Sequence, residues 1–193
     1  IEHGIRPLKN GIEPYAQHQR NRNMKILIIE DELPARKKLK RFIQEISVEQ
    51  QQEIEIIGEL DRVETAIDFL QDHHPDLIFS DIELLDGLAI EIFKVREVNC
   101  PVIFTTAYHQ DWMVALEGNG IDYLLKPLSR ERFEKAWLKF MKFSFHLPSA
   151  DQDSPGPMSP KNQRDQENSS YDNVHQKLLQ LAVVLEERLG APS

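Results

Sequence analysis

The chain has 193 residues, 40% of them hydrophobic, which suffices for one domain of ordinary size plus appendages. Its net charge of -9 runs against the basic balance of a compact nucleic-acid binder, so any DNA-binding part is absent or confined to a patch. A single cysteine, Cys100, excludes an internal disulfide and favours a reducing, cytoplasmic setting. No apolar run approaches the roughly 20 residues of a membrane span, so no membrane contact is expected.

Residues 1–23, "IEHGIRPLKNGIEPYAQHQRNRN", show no sustained helical or strand period and are too polar for a signal peptide. They contain no Met, and Met24 directly precedes the first apolar run, so 1–23 are expected to be a disordered, added extension. Between Met24 and His146, β-rich runs occur at "KILII", "EIEIIG", "DLIFS", "PVIFT" and "DYLL". Amphipathic stretches at 34–47, 63–72, 86–97, 109–118 and 130–143 separate and follow them. Strands alternating with helices predict an α/β fold, a doubly wound five-stranded parallel sheet of flavodoxin-like type with helices on both faces. Ligands of such sheets bind beyond the carboxyl ends of the strands, where strand order reverses.

Residues 147–170 are rich in Pro and Ser and predict a flexible linker. A helix is expected over 171–189, stopped by Gly190. In it Tyr171, Val174, Leu178, Leu181 and Leu185 recur at spacings of three and four, an a/d seam over two heptads. That seam fits a coiled coil with a second copy, or equally a helix packing on its own domain. Residues 24–146 hold 23 acidic against 15 basic residues, so the compact region is the acidic part.

The strand ends carry the chemistry. The first strand runs into Glu30, Asp31 and Glu32, the third ends on Asp81, the fourth delivers Thr105 and Thr106, and the fifth delivers Lys126 and Pro127. Carboxylates side by side repel, and burial makes that worse, so a cation is required. A hard divalent ion such as Mg²⁺ suits carboxylates, a backbone carbonyl and water. Asp81 can serve as a nucleophile forming an aspartyl phosphate, with Thr106 and Lys126 donating to the phosphoryl oxygens. Taken singly, each residue has a plainer reading as a cap, a turn former or a solvated charge; the set in this order is what points to phosphoryl chemistry.

The motifs "LIIEDELPAR", "LIFSDIELLDG", "VIFTTAY" and "IDYLLKP", in this order, resemble the receiver domain of two-component response regulators over about Met24 to Phe145. "IFTTAY" with "DYLLKP" is most similar to receivers whose output is a LytTR-type (LytR/AlgR) DNA-binding domain. The resemblance implies Asp81 as phosphoacceptor and Mg²⁺ bound by Glu30, Asp31, Asp81 and the backbone carbonyl of Glu83. It further implies Thr106 and Lys126 as phosphoryl contacts, Tyr123 as an aromatic switch residue and a cis Lys126–Pro127 bond. Implied partners are a sensor histidine kinase, a second copy on phosphorylation, and DNA through an effector domain absent from this chain. The protein would then be a switch and not a turnover enzyme. A stand-alone phosphorelay receiver is the alternative. A haloacid-dehalogenase-like phosphatase needs a second Asp where Glu83 stands, and a flavodoxin-like FMN carrier needs a phosphate-cradling loop where the acids stand. His73, His74, Cys100, Trp112 and Trp137 are read as structural.

Overall fold

The computed structural model describes residues 23–107, 121–144 and 164–189, with side chains of the last segment described over 174–187. Residues 1–22 of the expected 1–23 extension, the helix over 109–118 with Trp112, and most of the linker lie outside the described residues.

Strand β1 (Met24–Ile29) is apolar on both faces, and Ile26 to Ile29 are fully buried. An uninterrupted apolar strand belongs in a sheet covered on both sides. Helix α1 (Leu33–Gln50) opens with Pro34 in its first turn, where a missing N–H costs nothing. It buries Ala35, Leu39, Phe42, Ile43 and Ile46 on one stripe. Gln51 at φ 51° turns the chain out of the helix, and the Gln52 N–H closes on the Ser47 carbonyl at 3.0 Å.

Next come β2 (Ile54–Leu60), α2 (Val63–Asp72), β3 (Leu77–Asp81), the short strands β4 (Glu83–Leu84) and β5 (Gly87–Leu88), and α3 (Ile90–Val95). They are followed by β6 (Val102–Thr106), β7 (Ile121–Leu125), α4 (Arg130–Ser144) and α5 (Arg164–Leu189). Five strands form one parallel sheet in the order β2-β1-β3-β6-β7, and β4 and β5 pair separately as an antiparallel hairpin. The strand order reverses at β1, so the carboxyl ends of β1 and β3 flank the crevice where this topology places a ligand.

Side chains alternate along β1 between two cores. Ile26 and Ile28 join Phe79, Ile103 and Leu124 beneath α1 and α4, where Phe133 packs against Phe42, Phe79 and Trp137 with ring centroids 5.3 to 6.1 Å apart. Trp137 is fully buried and its indole N–H donates to Gln50 Oε1 at 3.1 Å, the structural role read from sequence. Leu27 and Ile29 face the second core with Ile78, Val102, Phe104 and residues of α2, α3 and α5. Gly58 in β2 lets the layers close: a Cβ there would come within 2.9 Å of both Leu27 Cδ1 and Phe69 Cζ.

Two elements differ from expectation. The helix predicted over 86–97 is only Ile90–Val95, because the β4–β5 hairpin occupies the segment before it. Its turn is Leu85–Asp86, and Gly87 follows at φ 154°, a conformation that side chains disfavour. The terminal helix begins at Arg164 and not at Tyr171; "RDQENSS" carries no apolar stripe, but neither does it hold a Pro or Gly to break a helix. Of the two readings open for the seam of α5, the structure takes packing on its own domain: α3 and the second core of this chain cover it. Val174, Leu178, Leu181, Ala182 and Leu185 are 0–2% exposed there. Burying each large apolar side chain contributes roughly 1.5–3 kcal/mol. The half-exposed Lys94–Glu186 ion pair at the edge adds at most about 1 kcal/mol, so apolar packing holds the helix.

Candidate functional site

The site assembles from the ends of four strands. Glu30, the residue after β1, is fixed by its own N–H, which donates to the Leu60 carbonyl at 2.8 Å. Its side chain is completely buried. Oε2 accepts the Thr105 hydroxyl at 2.8 Å; Oε1 accepts the Lys126 ammonium at 2.8 Å and the Glu32 N–H at 3.2 Å. Asp81 closes β3 and is buried, with Oδ1 accepting the Glu83 N–H at 3.3 Å and Oδ2 accepting from Lys126. Thr105 pairs with Asp81 across the β3–β6 ladder and Thr106 follows at the strand end, buried.

Lys126 leaves β7 with its N–H on the Thr106 carbonyl at 2.7 Å, and the Lys126–Pro127 bond is cis, as the motif implied. Its ammonium reaches three carboxylates at once: Glu30, Asp81, and Glu32 at 2.6 Å. The ammonium is therefore the cation that neutralises the stacked acids in this arrangement. Burial works against its charge, but hydrogen bonds to Asp81, Glu30 and Glu32 outweigh that and raise its pKa. Burial, then the neighbouring Glu30 charge, pushes the Asp81 carboxyl up to about 7 against the opposing pull of Lys126. Burial and Glu30 likewise raise Asp31, which stands half-exposed beside them.

The structure brings together Glu30, Asp81, Thr106 and Lys126 at one sheet edge. Among the described residues, the carboxylates whose oxygens converge within 4.8 Å are Glu30, Glu32 and Asp81, so Glu32 joins the acids that the sequence reading named. Hard oxygen donors at that spacing fit a divalent cation such as Mg²⁺. Two further residues were given no role from the sequence. Thr105 anchors Glu30, and only its strand-end position could have signalled that. Asp86 accepts the N–H groups of Val63 at 2.7 Å and Glu64 at 3.1 Å, capping α2 and pinning the hairpin that follows Asp81. Although burial opposes it, those backbone N–H groups hold the Asp86 carboxyl below its usual range.

Tyr123, on β7, is partly buried and packs against the second core. The Arg132 guanidinium lies 5.1 Å from its ring centroid and donates to its carbonyl at 3.2 Å. His73 is exposed and stacks on Phe69, and Cys100 is buried, which pushes its thiol pKa up and makes it inert.

A five-stranded parallel sheet in the order β2-β1-β3-β6-β7, with acids, hydroxyls and a lysine at its carboxyl edge, is the arrangement of a signal receiver, and the comparisons with known proteins agree. The profile of the family described as "Response regulator receiver domain" matches residues 26–137, and the chain belongs to that family. It is similar to the "Sensory transduction protein LytT" of Bacillus cereus, 38% identical over 122 residues, covering 62% of this chain and 48% of that protein. The "Transcriptional regulatory protein BtsR" of Escherichia coli is 35% identical over 114 residues, covering 58% and 46%. Among solved structures, the response regulatory domain of protein mrkE from Klebsiella pneumoniae matches with 31% identity and a TM-score of 0.50, covering 63% of this chain and 98% of that one. The chain spans about half the length of the curated relatives it matches. It is thus the receiver domain of a two-component response regulator related to the LytT, LytR and BtsR regulators. Among the described residues no helix is long and apolar enough to cross a membrane.

Proposed function

We propose that Asp81 accepts a phosphoryl group from the phosphohistidine of a sensor histidine kinase, in the cytoplasm, and that the modified domain switches its output. The observation that supports this most is the Lys126 ammonium bridging Asp81 and Glu30 at the carboxyl edge of the sheet. An Asp81 oxygen attacks phosphorus, the new P–O bond forms as the P–N bond to the imidazole breaks, and the imidazole leaves with the bonding pair. Lys126 and the Thr106 hydroxyl donate to the phosphoryl oxygens. Glu30, Asp31, Asp81 and the Glu83 carbonyl would hold Mg²⁺, which supplies charge neutralisation when bound.

The output proposed is transcription regulation through a LytTR-type DNA-binding domain, with homodimerisation on phosphorylation. The names of the LytT and BtsR relatives support a regulatory role, and their greater length supports an effector beyond the receiver. In domain terms, 24–146 is the receiver and the segment after it a linker leading to α5. Acetyl phosphate with Mg²⁺ should transfer about one phosphoryl group per chain. Release of many equivalents of inorganic phosphate would instead indicate a turnover phosphatase.

A further inference from the structure

The apolar seam of α5 lies in the second core, and its edge is tied by Glu186 to Lys94 on α3. The opposite side of the helix stays in solvent, with Val183 56% exposed beside Ala182 at 2%. Tyr123 packs against the same apolar cluster to which α5 contributes. Three residues further along the chain, Lys126 sits in the carboxylate cluster. One side of β7 therefore touches the core that α5 completes, and its end enters the site.

We propose that the face built by α3 and the second core is a docking groove for an amphipathic helix. Its resident ligand is α5 of the same chain, and docking is coupled to the site through Tyr123. The observations single out this occupant: apolar side chains at 174, 178, 181, 182 and 185 fill the groove, and an acid at 186 meets the Lys94 ammonium. A seam is covered once. Pairing of α5 with a second copy through these residues requires that the helix first leave the groove, so cis docking and seam-mediated dimerisation exclude each other. Binding linkage then makes the coupling reciprocal: whatever shifts Tyr123 shifts α5, and α5 biases Tyr123. The coupling bears on signalling only if Asp81 is the phosphoacceptor; the docking does not depend on it.

The test uses the full chain with Cys100→Ala, so that an introduced thiol is the only one. Ala182→Cys places it in the seam and Val183→Cys on the outer face. A maleimide should modify position 182 at least about tenfold more slowly than 183, since reaction needs local opening. The ratio should not change with protein concentration. Lys94→Glu should shrink the protection several-fold, and adding Glu186→Lys should restore it. Equal rates at 182 and 183 would overturn the docking, and protection lost on dilution would place the contact between copies and overturn the cis assignment. Tyr123→Ala, or Tyr123→Leu where the first variant does not fold, should reduce the protection about tenfold, the effect of losing a packed aromatic ring. An unchanged ratio would sever docking from β7. No arm requires phosphorylation, so a failure here is distinguishable from a failure to label Asp81.

Discussion

The Thr105 hydroxyl donates to Glu30 Oε2 across 2.8 Å with both side chains out of solvent. This bond satisfies the carboxylate oxygen that Lys126 does not reach, and so fixes the floor of the site. Thr105→Val keeps the shape and removes the donor, leaving a buried charged acceptor short of a partner. Urea unfolding should show a loss of about 1–3 kcal/mol. A change within about 0.5 kcal/mol, the range of an ordinary surface substitution, would show that Glu30 does not need the bond.

Lys126 is the cation of the cluster in the absence of metal. Lys126→Met removes the charge while keeping most of the stem, and leaves Glu30 and Asp81 buried without compensation. Apo stability should fall by about 3–5 kcal/mol, the usual result of removing one partner from a buried pair. Mg²⁺ should then raise the melting temperature of the variant more than that of the wild type, because it relieves a larger repulsion. Equal Mg²⁺ shifts in the two proteins would show that metal and ammonium do not neutralise the same carboxylates.

The raised Asp81 carboxyl predicts a pH signature. Its pKa of about 7 lies above the ordinary 3.8, so between these values the folded apo protein binds more protons than the unfolded chain. Stability from this group is fully present below about pH 4, falls as pH rises through the window, and is lost above about 7. Asp81→Asn does not titrate. Its stability relative to wild type should therefore grow from pH 4 to 7 and level off above 8, measured as the difference in urea midpoint. A difference independent of pH would mean that Asp81 is not strained by Glu30 and burial.

Much of this was legible in the chain. Strands with apolar residues on both faces, such as Ile26 to Ile29, declare a covered parallel sheet, and each ended on a residue with distinctive chemistry. Glu30, Asp81, Thr106 and Lys126 could thus be placed on one edge before any coordinates. What escaped was set by long-range contact. Glu32 stood in the sequence only as the last of three acids, and its contact with Lys126, 94 residues later, is visible only in the fold. The late start of the predicted 86–97 helix goes with the hairpin there, which Asp86 pins to α2, 23 residues upstream. The 3-4 spacing in α5 announced a buried seam correctly, but periodicity cannot say what buries it, and here α3 does.

Asp86 offers an independent check on the hairpin. Arg62 precedes α2 and supplies no side-chain cap, so the carboxylate of Asp86 takes that role from a distance. Asp86→Ala should cost about 0.5–2 kcal/mol of stability, the usual effect of losing a cap. It should also weaken Mg²⁺ binding, because Glu83 sits in the hairpin that Asp86 anchors. Unaltered stability and unaltered metal affinity together would show that the loop is held by other contacts.

The central claim is that Asp81 carries the phosphoryl group. After treatment with acetyl phosphate and Mg²⁺, borohydride reduces an aspartyl phosphate to homoserine, and peptide mass mapping locates that residue in the sequence. The account predicts homoserine at position 81 in the wild type and none anywhere in Asp81→Asn. Homoserine at another position, or undiminished phosphoryl uptake by Asp81→Asn, would contradict it.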